Sequence, residues 1–294
     1  MPSVIEELQA TVAAVGAAVA PAVVRIGQGA GRGAGVVIGD GRVLTNAHNL
    51  RGDETTVTFA DGRTAVGTVA GIDGEGDLAV LTVDTGGITA IRWEPAGVSP
   101  GVGAPVFAVT TPAGPGLRVT FGTVSAVGQA FRGPRGHRIA GSIEHTAPLS
   151  RGSSGGPIVD ADGALLGINT NRVGDGFYLA LPADAELAAR IDALGRGESP
   201  SRPRLGVALA PAHAARKLRA AVGLPERDGL LVRGVEDGSL AATAGLRQGD
   251  LLVSAGDRAL TSVDDLFDAL RSPGSLVLGV VRGAEEISVT VELS

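Results

Sequence analysis

Gly152-Ser153-Ser154-Gly155-Gly156-Pro157 encloses a serine between glycines in the pattern Gly-x-Ser-x-Gly. Without side chains at 152, 155 and 156 the backbone can bend sharply and approach a bound group. A serine hydroxyl is a weak nucleophile near neutral pH. It needs an imidazole to take its proton and a carboxylate to hold that imidazole in the right tautomer. The pattern also fits the nucleophile elbow of α/β-hydrolases, in which the acid and the histidine follow the serine and a helix follows the turn. Here the only histidine after Ser154 is His213, and residues 157–159 lead through Asp162-Gly163 into another apolar run. His48 and Asp77 precede the serine, so chain order contradicts the α/β-hydrolase arrangement.

Outward from this turn, residues 22–181 are short apolar runs punctuated by turns. Runs 22–26, 35–38, 43–45, 56–59, 78–83, 106–109, 119–127, 157–159, 165–169 and 177–181 read as strands, with Asp40-Gly41, Asp61-Gly62 and Asp162-Gly163 as turn pairs. Repeated strands with almost no helix between them predict a mainly β barrel or sandwich. Leu187, Ile191 and Leu194 fall at helical spacing and close the domain with a helix over 182–194. At the other end, Ser3 with Glu6 forms a capping-box pattern, and Ile5, Leu8, Val12, Val15 and Val19 share a helical face. This predicts a helix ending near Pro21, packed on the body or on a neighbouring subunit. Residues 195–203 are polar and rich in Gly, Ser and Pro, as a linker is. The remaining ~90 residues have the size of a small domain. They mix strands at 205–209, 230–235, 250–254, 276–281 and 287–293 with a helix starting at Ser262, whose Val263, Leu266, Phe267 and Leu270 lie on one face. The expected division is 1–195, a linker at 196–203, and 204–294.

Composition narrows the function. With 44% hydrophobic residues but only 3% aromatic, the cores must be built from Val, Leu, Ile and Ala. The net charge is −6 and no basic stripe is interleaved with aromatics, which argues against nucleic-acid binding. The chain has no cysteine, so disulfides, zinc-thiolate sites and a cysteine nucleophile are excluded. No cofactor and no metal is expected. Residues 8–24 are rich in Ala and Val, but Glu6 and Glu7 precede them and no Lys or Arg does, a poor match to a secretory signal. The stretch is also too broken for a confident membrane span. The expectation is a cytoplasmic protein, or a periplasmic or other extracytoplasmic one if the chain is a processed form.

Segments 33–38, 44–48, 76–81, 152–157 and 163–169 together resemble the trypsin-like serine proteases of the HtrA (high-temperature-requirement) type, a resemblance that runs from about Ala20 to the end. It implies a chymotrypsin-like double β-barrel with the active site between the barrels. His48 would be the general base, Asp77 its orienter and Ser154 the nucleophile. Asp73 and Asp84 compete with Asp77 on residue type alone, but Asp77 directly precedes the run 78–83. The oxyanion hole falls at Gly152, Ser153 and Ser154, with the amides of Gly152 and Ser154 as donors and Ser153 between them. The resemblance puts Ile168, Asn169 and Thr170 on the specificity-pocket wall. His137 and His145 are read as structural. In the last domain, Arg204-Leu205-Gly206-Val207 resembles the carboxylate-binding loop of a bacterial PDZ domain, and residues 241–246 with Gly249-Asp250-Leu251-Leu252 resemble its core motif. Backbone amides of Leu205, Gly206 and Val207 would hold a carboxylate, and a groove beside the helix after Ser262 would take an extended apolar tail.

Two residues depart from the family pattern: Arg151-Gly152-Ser153 stands where Pro-Gly-Asn is common, and Thr146 stands where an Asp is usual. Pro148, six residues before Ser154, leaves no charge at the pocket base, which implies cleavage after Val, Ala, Ile or similar residues. The expected function is a serine endopeptidase acting on unfolded or damaged polypeptides, its PDZ domain binding apolar C-terminal tails. The alternative is a PDZ-containing chaperone or scaffold with little proteolysis. The resemblance also implies a homo-oligomer, often a trimer.

Overall fold

Ser3 opens the first helix, α1 (Val4–Val19), by reciprocal capping: its hydroxyl accepts the Glu6 amide while the Glu6 carboxylate receives the Ser3 amide. Of the apolar stripe, Val15 and Val19 are buried and Leu8 and Val12 pack against the same core, whereas Ile5 stands exposed. With the 3₁₀ turn that follows it (Ala20–Ala22), this helix is also long and apolar enough to cross a membrane by length and composition. The computed structural model describes residues 3–28, 33–97, 99–111, 116–133, 138–199, 205–270 and 274–293. They fall into two units, Met1–Pro200 and Ser201–Ser294.

The first unit contains two closed barrels of six antiparallel strands. One is built from β1 (Val23–Ile26), β2 (Gly33–Gly39), β3 (Arg42–Thr45), β4 (Glu54–Thr58), β5 (Thr64–Asp73) and β6 (Leu78–Thr82), in the order β1-β2-β3-β6-β5-β4. The other uses β7 (Pro105–Thr110), β8 (Arg118–Arg132), β9 (Arg138–His145), β10 (Pro157–Val159), β11 (Leu165–Val173) and β12 (Phe177–Pro182), in the order β10-β11-β12-β9-β8-β7. Closure removes the sheet edges that would otherwise need protection.

Strand β7 shows how the barrels share apolar contacts. Phe107 and Val109 join a core that includes Val24, Val36, Leu44 and Val80 of the first barrel, while Val106 and Ala108 pack with Val124, Ile143, Ile158 and Ala180. Helix α2 (Ala185–Gly195), capped by Asp184, adds Leu187, Ile191 and Leu194 to the first of these cores.

The second unit is a sheet of order β13-β14-β15-β17-β18, formed by β13 (Val207–Ala210), β14 (Leu230–Val235), β15 (Leu251–Ala255), β17 (Gly274–Arg282) and β18 (Glu285–Leu293), with the short β16 (Arg258–Ala259) on β15. Helices α3 (Ala212–Ala221), α4 (Leu240–Thr243) and α5 (Val263–Ala269) complete it. Asp250 is buried and takes both Arg282 Nε and Nη2 at 2.8 Å and the Arg247 amide at 2.9 Å, while Arg282 also reaches the Gly245 carbonyl. The Gly-Asp pair read in the sequence is therefore the pin of a turn, with a bidentate geometry that suits arginine.

Candidate active site

Strand β3 ends at Thr45, and a 3₁₀ turn (Ala47–Asn49) carries His48 away from the barrel wall. The polar residues around His48 are buried for reasons of their own. Asn46 Nδ2 donates to the Asp77 carbonyl at 2.9 Å, and Asn49 Nδ2 donates to Thr45 Oγ1 at 3.0 Å and to the Ser154 carbonyl at 2.9 Å. Side-chain amides thus tie the turn bearing His48 to the two other turns of the site.

Asp77 sits just before β6 with φ of 55°, the one non-glycine residue with positive φ among the described residues. Aspartate is among the few L residues that tolerate this conformation. The conformation aims its nearly buried carboxylate at His48: Nδ1 lies 2.8 Å from Oδ2 and 3.0 Å from Oδ1. The His48 amide donates to Oδ1 at 3.1 Å and the Thr170 hydroxyl to Oδ2 at 2.7 Å. Facing an acceptor, Nδ1 carries the hydrogen, which leaves Nε2 as the ring's acceptor nitrogen. Of the competing aspartates, Asp73 is paired with Arg190 and Asp84 accepts the Gly86 amide.

Ser154 is held from both barrels. Its carbonyl accepts the Ala34 amide at 2.8 Å as well as Asn49, and the next amide, Gly155, donates to the Asn169 carbonyl at 2.7 Å. Gly155 has φ of 89°, and a Cβ there would strike the Ala34 carbonyl and approach Thr45 Oγ1, so the glycine is sterically required. Ser154 Oγ donates to the Thr170 carbonyl at 3.2 Å and makes no hydrogen bond to His48 among the described residues. Thr170 therefore touches two of the three residues, Asp77 by its hydroxyl and Ser154 by its carbonyl. The Ser153 amide donates within the turn to the Ser150 carbonyl at 3.3 Å, whereas the Gly152 and Ser154 amides have no acceptor among the described residues.

Residues 33–168 match the trypsin-like peptidase domain family and residues 231–282 the PDZ domain family. The serine endoprotease DegS of Escherichia coli K12 is 30% identical over 279 residues, covering 89% of this chain and 76% of that protein. The chain belongs to the HtrA-type serine proteases. The chloroplastic Protease Do-like 1 of Arabidopsis thaliana is 31% identical over 295 residues, and the chain spans 65% of its length. Among solved structures, the HtrA-type protease AlgW with a decapeptide superposes with a TM-score of 0.71 at 26% identity, covering 96% of this chain and 98% of that one.

In this HtrA-type protease the segment expected on the pocket wall is divided. Ile168 packs in the apolar core, Thr170 serves Asp77 and Ser154, and Asn169 lies in a buried polar cluster. Pro148 and Arg151 are both exposed. Asn169 Nδ2 donates to the Gly156 carbonyl at 3.1 Å and the Pro157 carbonyl at 3.4 Å, so its Oδ1 faces His145 Nε2 at 2.9 Å and that nitrogen carries the hydrogen. His145 is fully buried, its ring stacks on Tyr178, and its Nδ1 has no partner among the described residues. Burial pushes its pKa below the ordinary imidazole value of 6.5, against opposing contributions from Asn169 and Glu144. Because the folded pKa is depressed, the unfolded chain binds the proton more readily, and stability falls as pH drops below about 6.5. Thermal unfolding followed from pH 8 to pH 5 should show a Tm decline that is shallower in His145→Gln. An equal decline in both proteins would remove His145 as its source.

Of the second unit's predicted loop, Arg204 lies outside the described residues, as does His137 of the first unit. Leu205 is buried and its carbonyl accepts the Ala241 amide; the Gly206 carbonyl accepts the Glu236 amide. The amides of Leu205 and Gly206 have no acceptor among the described residues. Val207 begins β13, which among the described residues pairs with β14 alone and so lies at the edge of the sheet. Reading the sequence alone did not assign Asn46, Asn49 or the Thr170 hydroxyl. The signal was available in polar residues placed beside apolar runs at 45–49 and 168–170.

Proposed function

We propose that this protease cleaves peptide bonds through Ser154, His48 and Asp77. The observation that carries the assignment is the Asp77 carboxylate, buried and receiving His48 Nδ1 at 2.8 Å, with Thr170 linking it to Ser154. Ser154 Oγ leaves the Thr170 carbonyl by a χ1 rotation, gives its proton to His48 Nε2 and attacks the scissile carbonyl carbon. The oxyanion is received by the Gly152 and Ser154 amides, with Ser153 as the backbone position between them. His48 then protonates the leaving amine as the C–N bond breaks. Water, deprotonated by the same nitrogen, hydrolyses the acyl-enzyme and restores Ser154.

The protease domain is assigned to residues 1–195, the linker to 196–203 and the PDZ domain to 204–294. The amides of Leu205 and Gly206, which have no acceptor among the described residues, support capture of a C-terminal carboxylate, with the tail of an apolar peptide added as a further strand on β13. Arg204 and Val207 flank that pair of amides. With Pro148 at the spacing that would set a charge, cleavage is assigned after small aliphatic residues of unfolded polypeptides. A homo-oligomer, in family fashion a trimer, is part of the proposal. The apolar helix over Val4–Ala22 has the length and composition that membrane spans and signal sequences share. A relative from Halomonas elongata, 33% identical over 271 residues, is named as periplasmic and supports the extracytoplasmic alternative.

Mapping cleavage sites on an unfolded protein, with and without an added apolar C-terminal peptide, tests these points together. The expected profile is cuts after Val, Ala and Ile, at a rate that changes with the peptide. Efficient cuts after Arg or Lys would refute the pocket assignment, and a rate indifferent to the peptide would refute the PDZ role.

A further inference from the structure

The residues that lead into Asp77 are fastened, one after another, to the segment that ends the first unit. Gly71 lies so close to the backbone of Leu194, near the end of α2, that no side chain fits between them. The Ile72 amide donates to Ser199 Oγ at 3.0 Å. Asp73 Oδ2 accepts from Arg190 Nη2 of α2 at 2.5 Å, and its Oδ1 accepts the amides of Glu75 at 3.1 Å and Gly76 at 2.9 Å. Gly76 has no room for a Cβ because the Arg190 guanidinium and the Asp73 carboxylate fill that space. Asp77 comes next, in its left-handed conformation.

This is more contact than the turn needs to reverse the chain. An Asp whose Oδ1 accepts the amides two and three residues on already closes such a turn by itself. Arg190 adds a restraint from a helix that is itself fixed by the burial of Leu187, Ile191 and Leu194. A part-buried ion pair of this kind is weak evidence of added stability.

We propose that Arg190 and Asp73 are positioning residues for Asp77. The guanidinium fixes the Asp73 carboxylate, which fixes the Glu75 and Gly76 amides, which set the backbone of Asp77 and so the aim of its carboxylate at His48 Nδ1. Ser199 is the second anchor, acting one residue earlier through Ile72. The inference rests on Asp77 being the acid of the triad.

The test compares the full-length wild-type chain with Arg190→Ala, Asp73→Asn, Arg190→Lys and Ser199→Ala on one peptide substrate. Arg190→Ala and Asp73→Asn should lower kcat by about 10- to 100-fold, the scale of a displacement of about 1 Å remote from the chemistry. KM should stay within about twofold, since the loss falls on the transition state. The acid limb of kcat/KM should move to lower pH, because an imidazolium facing a misaligned carboxylate is less favoured. Arg190→Lys should regain part of both kcat and the acid limb, and Ser199→Ala should show a smaller change of the same kind. Variants that melt at a lower temperature yet keep the wild-type kcat and pH profile would overturn the proposal. If Arg190→Ala does not fold, the same comparison is made on Arg190→Lys and Ser199→Ala. An active wild type with unmoved variants sinks this inference alone. A wild type without Ser154-dependent hydrolysis sinks the triad assignment, and this inference with it.

Discussion

Replacing Ser154 by alanine is expected to reduce kcat for peptide hydrolysis by about 10⁶-fold, or about 8 kcal/mol of transition-state stabilisation. The protein should remain folded. The turn holds Ser154 by its backbone and not by its hydroxyl: the Ser154 carbonyl accepts the Ala34 amide and Asn49 Nδ2, and the Gly155 amide donates to the Asn169 carbonyl. The hydroxyl contributes one hydrogen bond, to the Thr170 carbonyl at 3.2 Å. Its removal leaves the Gly152 and Ser154 amides in place, so a small residual rate, on the order of 10³-fold over water, should persist from oxyanion stabilisation and binding. The measurement is kcat alongside a thermal melt. A large loss of kcat with an unchanged Tm is the expected pair of results, and retention of more than a few per cent of activity would remove Ser154 from the mechanism.

Asp77→Asn is the second large effect, about 10⁴-fold in kcat. The wild-type carboxylate accepts three kinds of donor at once: the His48 ring at Nδ1, the His48 amide and the Thr170 hydroxyl. An amide has one acceptor oxygen and one NH₂ group. If the oxygen stays on the His48 amide, the NH₂ group faces Nδ1 and forces the hydrogen onto Nε2, where it blocks proton transfer from Ser154. Thr170 then also faces a donor and must reorient. Asparagine tolerates the left-handed backbone as well as aspartate does, so the substitution tests the charge and tautomer without disturbing the turn. Substrate affinity should change little, because the carboxylate is nearly buried and lies behind His48. A kcat within about tenfold of wild type would mean that His48 is not held in its tautomer by Asp77.

The chemistry was more legible in the sequence than the architecture that supports it. Chain order and three short segments pointed to His48, Asp77 and Ser154, which the fold brings to one site. Ten strands were evident in the first domain, enough on pattern alone for a barrel or a sandwich, and the resemblance to the HtrA-type proteases supplied the two barrels that the fold shows. Absent from that series are β5 and β9, one from each barrel, although His145 at the end of β9 reads as a strand residue. In β5, Gly67 and Gly71 interrupt the apolar run and the register with β6 shifts between Val69 and Gly71, so inside-outside alternation fails. In β9, Gly141 has φ of 81° and the pairing with β8 shifts repeatedly, with the same consequence. Helix α3 escaped because its apolar positions are alanines apart from Leu218, which stands exposed, and its buried positions are Ala215 and the polar Arg219. Helices α1 and α5 were readable from Ser3 and Ser262, which announce a start locally, and α2 from the spacing of Leu187, Ile191 and Leu194. The four-residue α4 was not read despite its Ser239 cap. Contacts between distant segments left no such trace: Asn49 reaches Ser154 across 105 positions, and Arg190 reaches Asp73 across 117.

The most direct test of the central claim is mass mapping of the adduct formed with a serine-reactive fluorophosphonate, with and without an apolar C-terminal peptide. The expected result is one modified residue, Ser154, with labelling abolished in Ser154→Ala and strongly slowed in His48→Ala. Wild-type protein that takes up no label under either condition, or label that persists in Ser154→Ala, would contradict the assignment.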